Sequence, residues 1–516
     1  MTKSGQGNRK YIRKVSLNNI NMKAIIYILM LMFVIDCRSQ IIENGNPQYF
    51  PEIESQIKRI TENLKVGDQF GNTYKNATLE ERLANYKIPG ISIAVIDNGE
   101  IKWARGFGYK DVSTKEPVTQ NTLFHAASIS KVLTAIAFMK LKEKNEIDLD
   151  ADVNSYLKSW KIPSNNGWQP KVTIRQILSH TAGMTVSGFS GYSIHDSIPT
   201  TVQILNGEYP ANSLPVKVNI FPGTRARYSG GGFIVAQLIL EDKFNLPFYS
   251  VMDSLVLSPL NLKTSTFEQT KLNSKNQLNA TGYILDYQPI NEGFDIHPEM
   301  AAAGLRTNPL DLAKIIIEIQ KGLQGKSDFI SYKSAKEMLT QQNTDATGIG
   351  LGFWFYQNAR GDSLLFTHAG GNDGFQSLFF GYKNLGKGVV VMINSSNDYE
   401  LMYEVIRSIA LEYNWPDRFM RENIKHNISD NLLNTYTGKY IFDGNCEILI
   451  KKAGGKLSLK MQSQPPVYLI AESDDNFYCE QLNIKVTFTK TNNIINSLEI
   501  QQDGANSIIA KITRDF

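Results

Sequence analysis

The sequence predicts an α+β fold: an antiparallel sheet assembled from N- and C-terminal hairpins, a mostly helical insertion beside it, and a small all-β domain after it. Three observations carry this. Two β-rich runs, 91–96 and 101–107, are joined by Asp97-Asn98-Gly99-Glu100, and Asn-Gly between apolar runs is a strong hairpin signal. Strand-like runs return only much later, at 350–356, 363–367, 376–382 and 389–393, with helical pieces and loops between. That order suits an α+β layout better than alternating βαβ units. Past residue 430, short alternating runs at 440–442, 447–450, 457–461, 467–470 and 484–488 are split by Gly, Asn, Asp and Pro, as in a small barrel or sandwich.

The elements between follow from local chemistry. Residues 79–86 read as a helix. A longer one runs from 128 to 144, with Val132, Leu133, Ile136 and Ala137 at helical spacing. Shorter helical pieces are expected at 173–178 and 233–241. At Asn308-Pro309-Leu310-Asp311, Asn suits the N-cap, Pro the first helical position, and Asp311 the positive end of the dipole. A further helix is expected over 399–413. Pro416 and the charged stretch after it read as a linker. The predicted division is therefore 1–40, an export segment; 41–415, the main domain; 416–430, a linker; and 431–516, the all-β domain.

At 516 residues the chain exceeds one ordinary core. Its 42% hydrophobic and 20% charged residues are those of a globular protein, which excludes disordered and collagenous classes. Lys plus Arg number 54 against 50 Asp plus Glu, which leaves no electrostatic footprint for nucleic acid. Three cysteines, Cys37, Cys446 and Cys479, exclude a disulfide framework, although one bridge between Cys446 and Cys479 stays open. Lys10, Arg13, Lys14 and Lys23 precede an apolar run at 24–35. About a dozen apolar residues suits a signal-peptide core and is short for a bilayer span of roughly 20; the alternative is a buried core helix. Cys37 follows Val34-Ile35-Asp36, which is similar to a lipoprotein signal except at Asp36. The expected location is outside the cytoplasm, periplasmic or secreted. Membrane anchoring through the N-terminus or Cys37 stays open.

The candidate chemistry begins at Ser128-Ile129-Ser130-Lys131, at the start of the long helix. Residues three apart share a helix face, so Ser128 and Lys131 can touch. A serine hydroxyl needs a neighbouring base to attack a carbonyl, and a lysine amine can serve. The helix N-terminus favours developing negative charge. Alone, Ser-x-x-Lys reads more simply as an N-capping serine with a solvated lysine. Two further elements change that reading: Phe221-Pro222-Gly223-Thr224-Arg225-Ala226-Arg227-Tyr228-Ser229-Gly230, and His368-Ala369-Gly370-Gly371, on or just after a strand edge.

In order and spacing these three resemble the Ser-x-x-Lys, Tyr-x-Asn and Lys-Thr-Gly (or His-x-Gly) elements of the serine β-lactamase, penicillin-binding protein and related esterase superfamily. The segments Ile177-Leu178-Ser179-His180-Thr181-Ala182-Gly183 and Ala303-Gly304-Leu305-Arg306-Thr307 resemble it too. The likeness runs from about residue 90 to 394 and implies a β-lactamase/transpeptidase-like antiparallel sheet with a helical subdomain. The C-terminal part resembles a lipocalin-like β-domain. The resemblance implies that Ser128 forms an acyl-enzyme and that Lys131 and Tyr228 share the proton transfers. It implies an oxyanion hole from the N–H groups of Ser128 and Gly371, with Gly370 letting the strand approach the substrate. It implies a small-molecule or peptide acyl substrate, with no cofactor and no metal. Oligomeric state stays open.

The departures narrow the substrate. His368 and Ala369 stand where Lys-Thr is usual, so a fixed cation and a hydroxyl are missing; an ordinary histidine is mostly neutral at neutral pH. Gly230 replaces an asparagine that hydrogen-bonds substrate amides. Esters are therefore expected to fit better than β-lactams. Arg306 or Asn372 could restore carboxylate binding, which keeps a D-peptidase, carboxypeptidase or β-lactamase open. A weakly acylating penicillin-binding or sensor protein is the non-enzymatic alternative. His180 reads as fixing a loop. His125, His195, His297 and His426 show no ligand spacing, and no His-Glu-x-x-His or intact Gly-x-Ser-x-Gly is present.

Overall fold

A computed structural model describes residues 42–43, 45–66, 75–165, 167–269, 278–342, 348–357, 364–397, 399–416, 428–442, 446–453, 456–461, 466–479, 484–491, 494–502 and 508–513. The expected export segment, Cys37, His426 and most of the expected linker lie outside the described residues. Helices α1 (Pro51–Glu62) and α2 (Leu79–Tyr86) lead into β1 (Gly90–Asp97), β2 (Glu100–Asp111) and the short β3 (Glu116–Pro117). The β1–β2 turn is the expected one: Asn98 and Gly99 both have positive φ, 54° and 75°, as a tight hairpin requires. Strand β4 (Phe124–Ala127) runs into α3 (Ser130–Glu143), and α4 spans Gly230–Phe244.

A short helical turn α5 (Met300–Ala303) precedes β5 (Leu305–Thr307), which pairs antiparallel with β4. Helix α6 (Pro309–Leu323) starts as expected, with Asn308 Oδ1 accepting the Asp311 N–H at 3.0 Å. Then come β6 (Trp354–Gln357), β7 (Leu364–Asn372), β8 (Phe375–Tyr382), β9 (Gly388–Ile393) and α7 (Glu400–Glu412). The seven-stranded sheet has the order β6-β7-β8-β9-β1-β2-β3. Late strands thus pair with early ones, β9 with β1 in antiparallel register. Two expectations need adjusting. Residues 350–353 form a turn rather than strand, with positive φ at Gly348 and Gly352. Strand β7 runs on through His368–Asn372 instead of ending before them.

Both faces of this sheet are covered, which is why β1 is buried along nearly its whole length. Ile91, Ile93, Val95 and Trp103 point to one side and pack with α1, α2 and α7; Ala94 and Ile96 point to the other and pack with α3, α4 and α6. The outer helices are also tied by charge. Arg82 on α2 forks onto Glu404 of α7 at 2.7 and 2.9 Å, and Tyr86 OH adds a bond at 3.1 Å. Glu404 is 1% exposed, and burial raises its pKa against the lowering effect of Arg82.

The C-terminal portion is a closed barrel of eight antiparallel strands: β10 (Gly438–Phe442), β11 (Cys446–Ala453), β12 (Lys456–Met461), β13 (Val467–Ala471), β14 (Asn476–Cys479), β15 (Ile484–Thr491), β16 (Ile494–Gln502) and β17 (Ile508–Thr513), with β17 returning to β10. Alternate residues such as Ile448, Ile450, Leu457, Leu459, Val486 and Phe488 fill its interior. Closure removes exposed sheet edges, which decides between the two expected all-β forms. Cys479 is buried in the barrel. It lies on β14, and Cys446 begins β11.

Arg82→Met is expected to leave Glu404 buried without its cation and to cost about 3–5 kcal/mol, while Arg82→Met with Glu404→Leu recovers most of that loss. Denaturant midpoints for the two variants check it.

Candidate active site

Strand β4 delivers Ser128 to the start of α3 through a strained turn. Ala127 has φ +47°, a conformation that a residue with a Cβ adopts at a cost of order 1 kcal/mol. The first turn is tight, with Lys131 N–H bonded to Ser128 O at 3.1 Å and Val132 N–H to Ile129 O at 3.0 Å. Ser130, between them, is fully buried and accepts the Leu305 N–H at 2.9 Å, which locks β5 against the helix start.

Lys131 is 2% exposed. Its Nζ lies 3.0 Å from Ser128 Oγ and 2.7 Å from the Ala302 carbonyl oxygen. It also sits 4.9 Å from the centre of the Tyr228 ring. Tyr228 OH is 2.7 Å from Ser128 Oγ. The lysine, three residues from the serine, and the tyrosine, 100 residues from it, therefore converge on the serine oxygen. Tyr228 is held from behind by the His180 ring at 4.4 Å and approached by Trp354 at 6.4 Å. His180 Nδ1 accepts the Ser229 N–H at 3.1 Å, and its carbonyl accepts the Arg227 N–H at 2.8 Å. The histidine thus fixes the segment carrying the tyrosine. Trp354 and the Ala302 carbonyl carried no signal in the sequence, the latter because a backbone oxygen is the same in every residue.

Strand β7 comes against β4 at Gly370. A Cβ there would lie 2.1 Å from Ala126 O and 2.8 Å from Ser377 Oγ. The glycine is needed for contact with β4. Gly371 is the open position: it is exposed, and a Cβ there would meet nothing within 4 Å. His368 is 3% exposed, its Nδ1 lies 2.6 Å from Ala369 O, and its Nε2 has no partner among the described residues. Burial, and then the charge of Lys131, push its pKa to about 3, so the ring is neutral.

Two other positions differ from expectation. Arg306 is 2% exposed, lies 4.5 Å over the Phe294 ring, and turns Nη2 to Asp295 O at 3.4 Å. It is a core residue on β5 rather than a cleft donor, and burial lowers its pKa to about 9. Asn372 spends its Nδ2 on Ala303 O at 3.2 Å and on His125 Nδ1 at 3.3 Å. Gly230 is buried at the start of α4, where a Cβ would meet Phe189 at 2.9 Å and Ser187 O at 3.0 Å. An asparagine side chain could enter there only by displacing that loop. Among the described residues, no group of three His, Cys, Asp or Glu could hold a metal ion.

A serine, lysine and tyrosine meeting between an antiparallel sheet and a helical layer define the β-lactamase-type serine hydrolase fold. The chain belongs to the β-lactamase family, whose model matches residues 76–413. It is similar to Protein flp of Staphylococcus aureus (strain N315), 27% identical over 327 residues, and spans 62% of that relative's length with 62% of its own. It is 21% identical over 447 residues to penicillin-binding protein 4* of Bacillus subtilis (strain 168), covering 80% of this chain and 93% of that one. Among solved structures, an octameric penicillin-binding protein homologue from Pyrococcus abyssi superposes with a TM-score of 0.55 at 23% identity, covering 84% of this chain and 98% of that one. The D-amino acid amidase from Ochrobactrum anthropi SV3 does so with 0.53 at 20%, covering 69% and 99%. These two likenesses are of fold.

Two outcomes follow. Gly370→Ala is expected to push β7 off β4 and cost about 1–3 kcal/mol, whereas Gly371→Ala folds with wild-type stability; denaturant midpoints distinguish them. Stability is also expected to fall on acidification. His297 and His368 are held at about 3, and His125 and His180 well below 6.5, by burial in each case. Between about 6.5 and 3 the unfolded chain binds protons that the folded one refuses, each such group costing up to ~1.4 kcal/mol per pH unit. Glu299, pushed up to about 8 by burial, acts in the opposite sense as pH rises from 4.5 to 8. Glu241, Asp295 and Glu404, also raised by burial, act in the same sense as Glu299 but with smaller shifts, so the four histidines leave a net loss below pH 6.5, and a melting temperature unchanged from pH 7 to pH 4.5 would contradict it.

Proposed function

We propose that this protein is an esterase-like serine hydrolase working through an acyl-enzyme on Ser128. The observation that carries the reading is the convergence on Ser128 Oγ of Lys131 Nζ at 3.0 Å and Tyr228 OH at 2.7 Å. Ser128 Oγ attacks the carbonyl carbon while its proton passes to the Lys131–Tyr228 pair. That pair returns a proton to the departing alkoxide, and water then repeats the sequence to release the acid. The main-chain N–H groups of Ser128 and Gly371 are the proposed oxyanion donors, such donors being worth about 3 kcal/mol each in a transition state.

The preference for esters rests on what surrounds the nucleophile. His368 is neutral and buried, Ala369 has no hydroxyl, and Ser187 and Phe189 fill the space beside Gly230. Arg306 and Asn372 are engaged elsewhere. A substrate carboxylate or amide therefore lacks the partners that would orient it. A second reading, hydrolysis of D-amino-acid peptides or β-lactams, is supported by the similarity to penicillin-binding protein 4*. We place the protein outside the cytoplasm, in the bacterial envelope or secreted, on the basic residues and apolar run at 10–35. We take 41–415 as the catalytic unit and 431–516 as a separate β-domain.

The purified full chain is assayed on a short-chain p-nitrophenyl ester, a chromogenic cephalosporin and a D-alanyl-D-alanine peptide. The ester is expected to turn over fastest, Ser128→Ala to lose turnover and fluorophosphonate labelling, and Tyr228→Phe to lose ~10²- to 10⁴-fold in kcat. A faster cephalosporin or peptide overturns the ester preference while leaving the nucleophile. Labelling that survives in Ser128→Ala overturns the assignment altogether.

A further inference from the structure

The carbonyl that receives Lys131 belongs to α5, a turn of four residues with too few internal hydrogen bonds to hold itself in place. Its three consecutive carbonyls face the site's other elements. Ala301 O accepts Thr134 Oγ1 at 3.2 Å, Ala302 O accepts Lys131 Nζ at 2.7 Å, and Ala303 O accepts Asn372 Nδ2 at 3.2 Å. The turn is thus the common acceptor for α3 and for β7. Two buried amides hold the turn: Gln269 spans its outside, accepting the His297 N–H at 3.0 Å and donating to Gly304 O at 2.7 Å, and Gln237 from α4 grips its entry. Gln237 Oε1 accepts the Ala301 N–H at 3.0 Å, and Gln237 Nε2 donates to Pro298 O at 3.1 Å, so one side chain brackets the turn's entry from both sides. Glu299, between them, adds no side-chain anchor: it is fully buried, and neither carboxyl oxygen has a partner among the described residues.

The Gln237 amide is itself oriented. It is 0% exposed, and its Nε2 also reaches Thr201 Oγ1 at 3.1 Å and Glu241 Oε1 at 3.2 Å. Helix α4 begins two residues after Tyr228. The same rigid element therefore carries the tyrosine's segment at its start and, two turns on, grips the turn that aims the lysine.

We propose that Gln237 is a positioning residue for acylation: by clamping the turn at Pro298 and Ala301 it sets the Ala302 carbonyl, and with it the direction of Lys131 Nζ toward Ser128 Oγ. The role rests on the reading of Ser128 and Lys131 given above. No substrate contact is involved, so ground-state binding is untouched while the attack geometry loosens when the clamp is removed. Displacement of a reacting group by about 1 Å costs up to ~10²-fold.

The test uses the full chain with three substitutions, reading kcat and KM on the preferred substrate, the second-order rate of fluorophosphonate labelling, and the melting temperature. Gln237→Leu removes both bonds to the turn and is expected to lower kcat and the labelling rate by ~10- to 100-fold, with KM within about twofold. Gln237→Glu keeps an acceptor for the Ala301 N–H and is expected to lose only ~3- to 10-fold. A folded Gln237→Leu with wild-type kcat and labelling overturns the proposal, as does activity that falls only in step with the folded fraction. If Gln237→Leu does not fold, Gln237→Glu decides, and wild-type rates in it overturn the role. Ser128→Ala separates the two readings. Labelling retained there defeats the nucleophile assignment, whereas labelling lost there and unchanged in the Gln237 variants defeats only the positioning role.

Discussion

An amino group with 2% of its side chain exposed must have its protons accepted, because burying a polar group without partners costs several kcal/mol. Lys131 meets that constraint with Ser128 Oγ, the Ala302 carbonyl and the faces of Tyr228 and Phe233. Each acceptor comes from a different part of the chain. The serine stands at the head of the lysine's own helix, the carbonyl on a turn about 170 residues later, and the two rings just before and just after the start of α4. Satisfying one buried side chain thus requires the helix, the turn and the tyrosine segment to be in register together. That register is what makes a shared hydrogen-bonding centre at Ser128 Oγ.

The sheet supplies the frame in which this register holds. Because β7 is central enough to pair with both β6 and β8, its path past β4 is determined by two ladders, and only glycine at 370 lets it pass close to the Ala126 carbonyl. On the other side of the sheet, α1, α2 and α7 bury a separate core and the Arg82–Glu404 pair, away from the chemistry. The strained Ala127 and the neutral buried histidines His180 and His368 lie on the inner side.

Under the proposed reading, specificity comes from subtraction. A cationic side chain at 368 would face Lys131 across a buried space, where like charges repel with little screening. The neutral histidine avoids that cost and gives up a carboxylate anchor. Gly230 makes a similar exchange. The loop at 187–189 packs where a side chain would otherwise extend, trading an amide-binding group for apolar contact and for a hydrogen bond from Gly230 N–H to Ser187 O at 3.2 Å.

Much of this was legible in the residues themselves. The Asn98-Gly99 hairpin, the capped helix after Asn308, the helix beginning near Ser128 and the all-β character of the C-terminus each follow from local rules of turn, cap and periodicity. The three site elements were legible as well, because their chemistry is carried by particular side chains at short spacings. Long-range placement was not. Periodicity assigns Gly370 to a strand without saying which strand it must pass. A motif marks Arg306 and Asn372 as polar without saying whether they face solvent or the core. The sequence by itself determined the local elements and the identity of the groups at the site. Only the tertiary structure decided which of them meet, because meeting depends on contacts between segments separated by a hundred residues or more, and on a backbone carbonyl that no side chain announces.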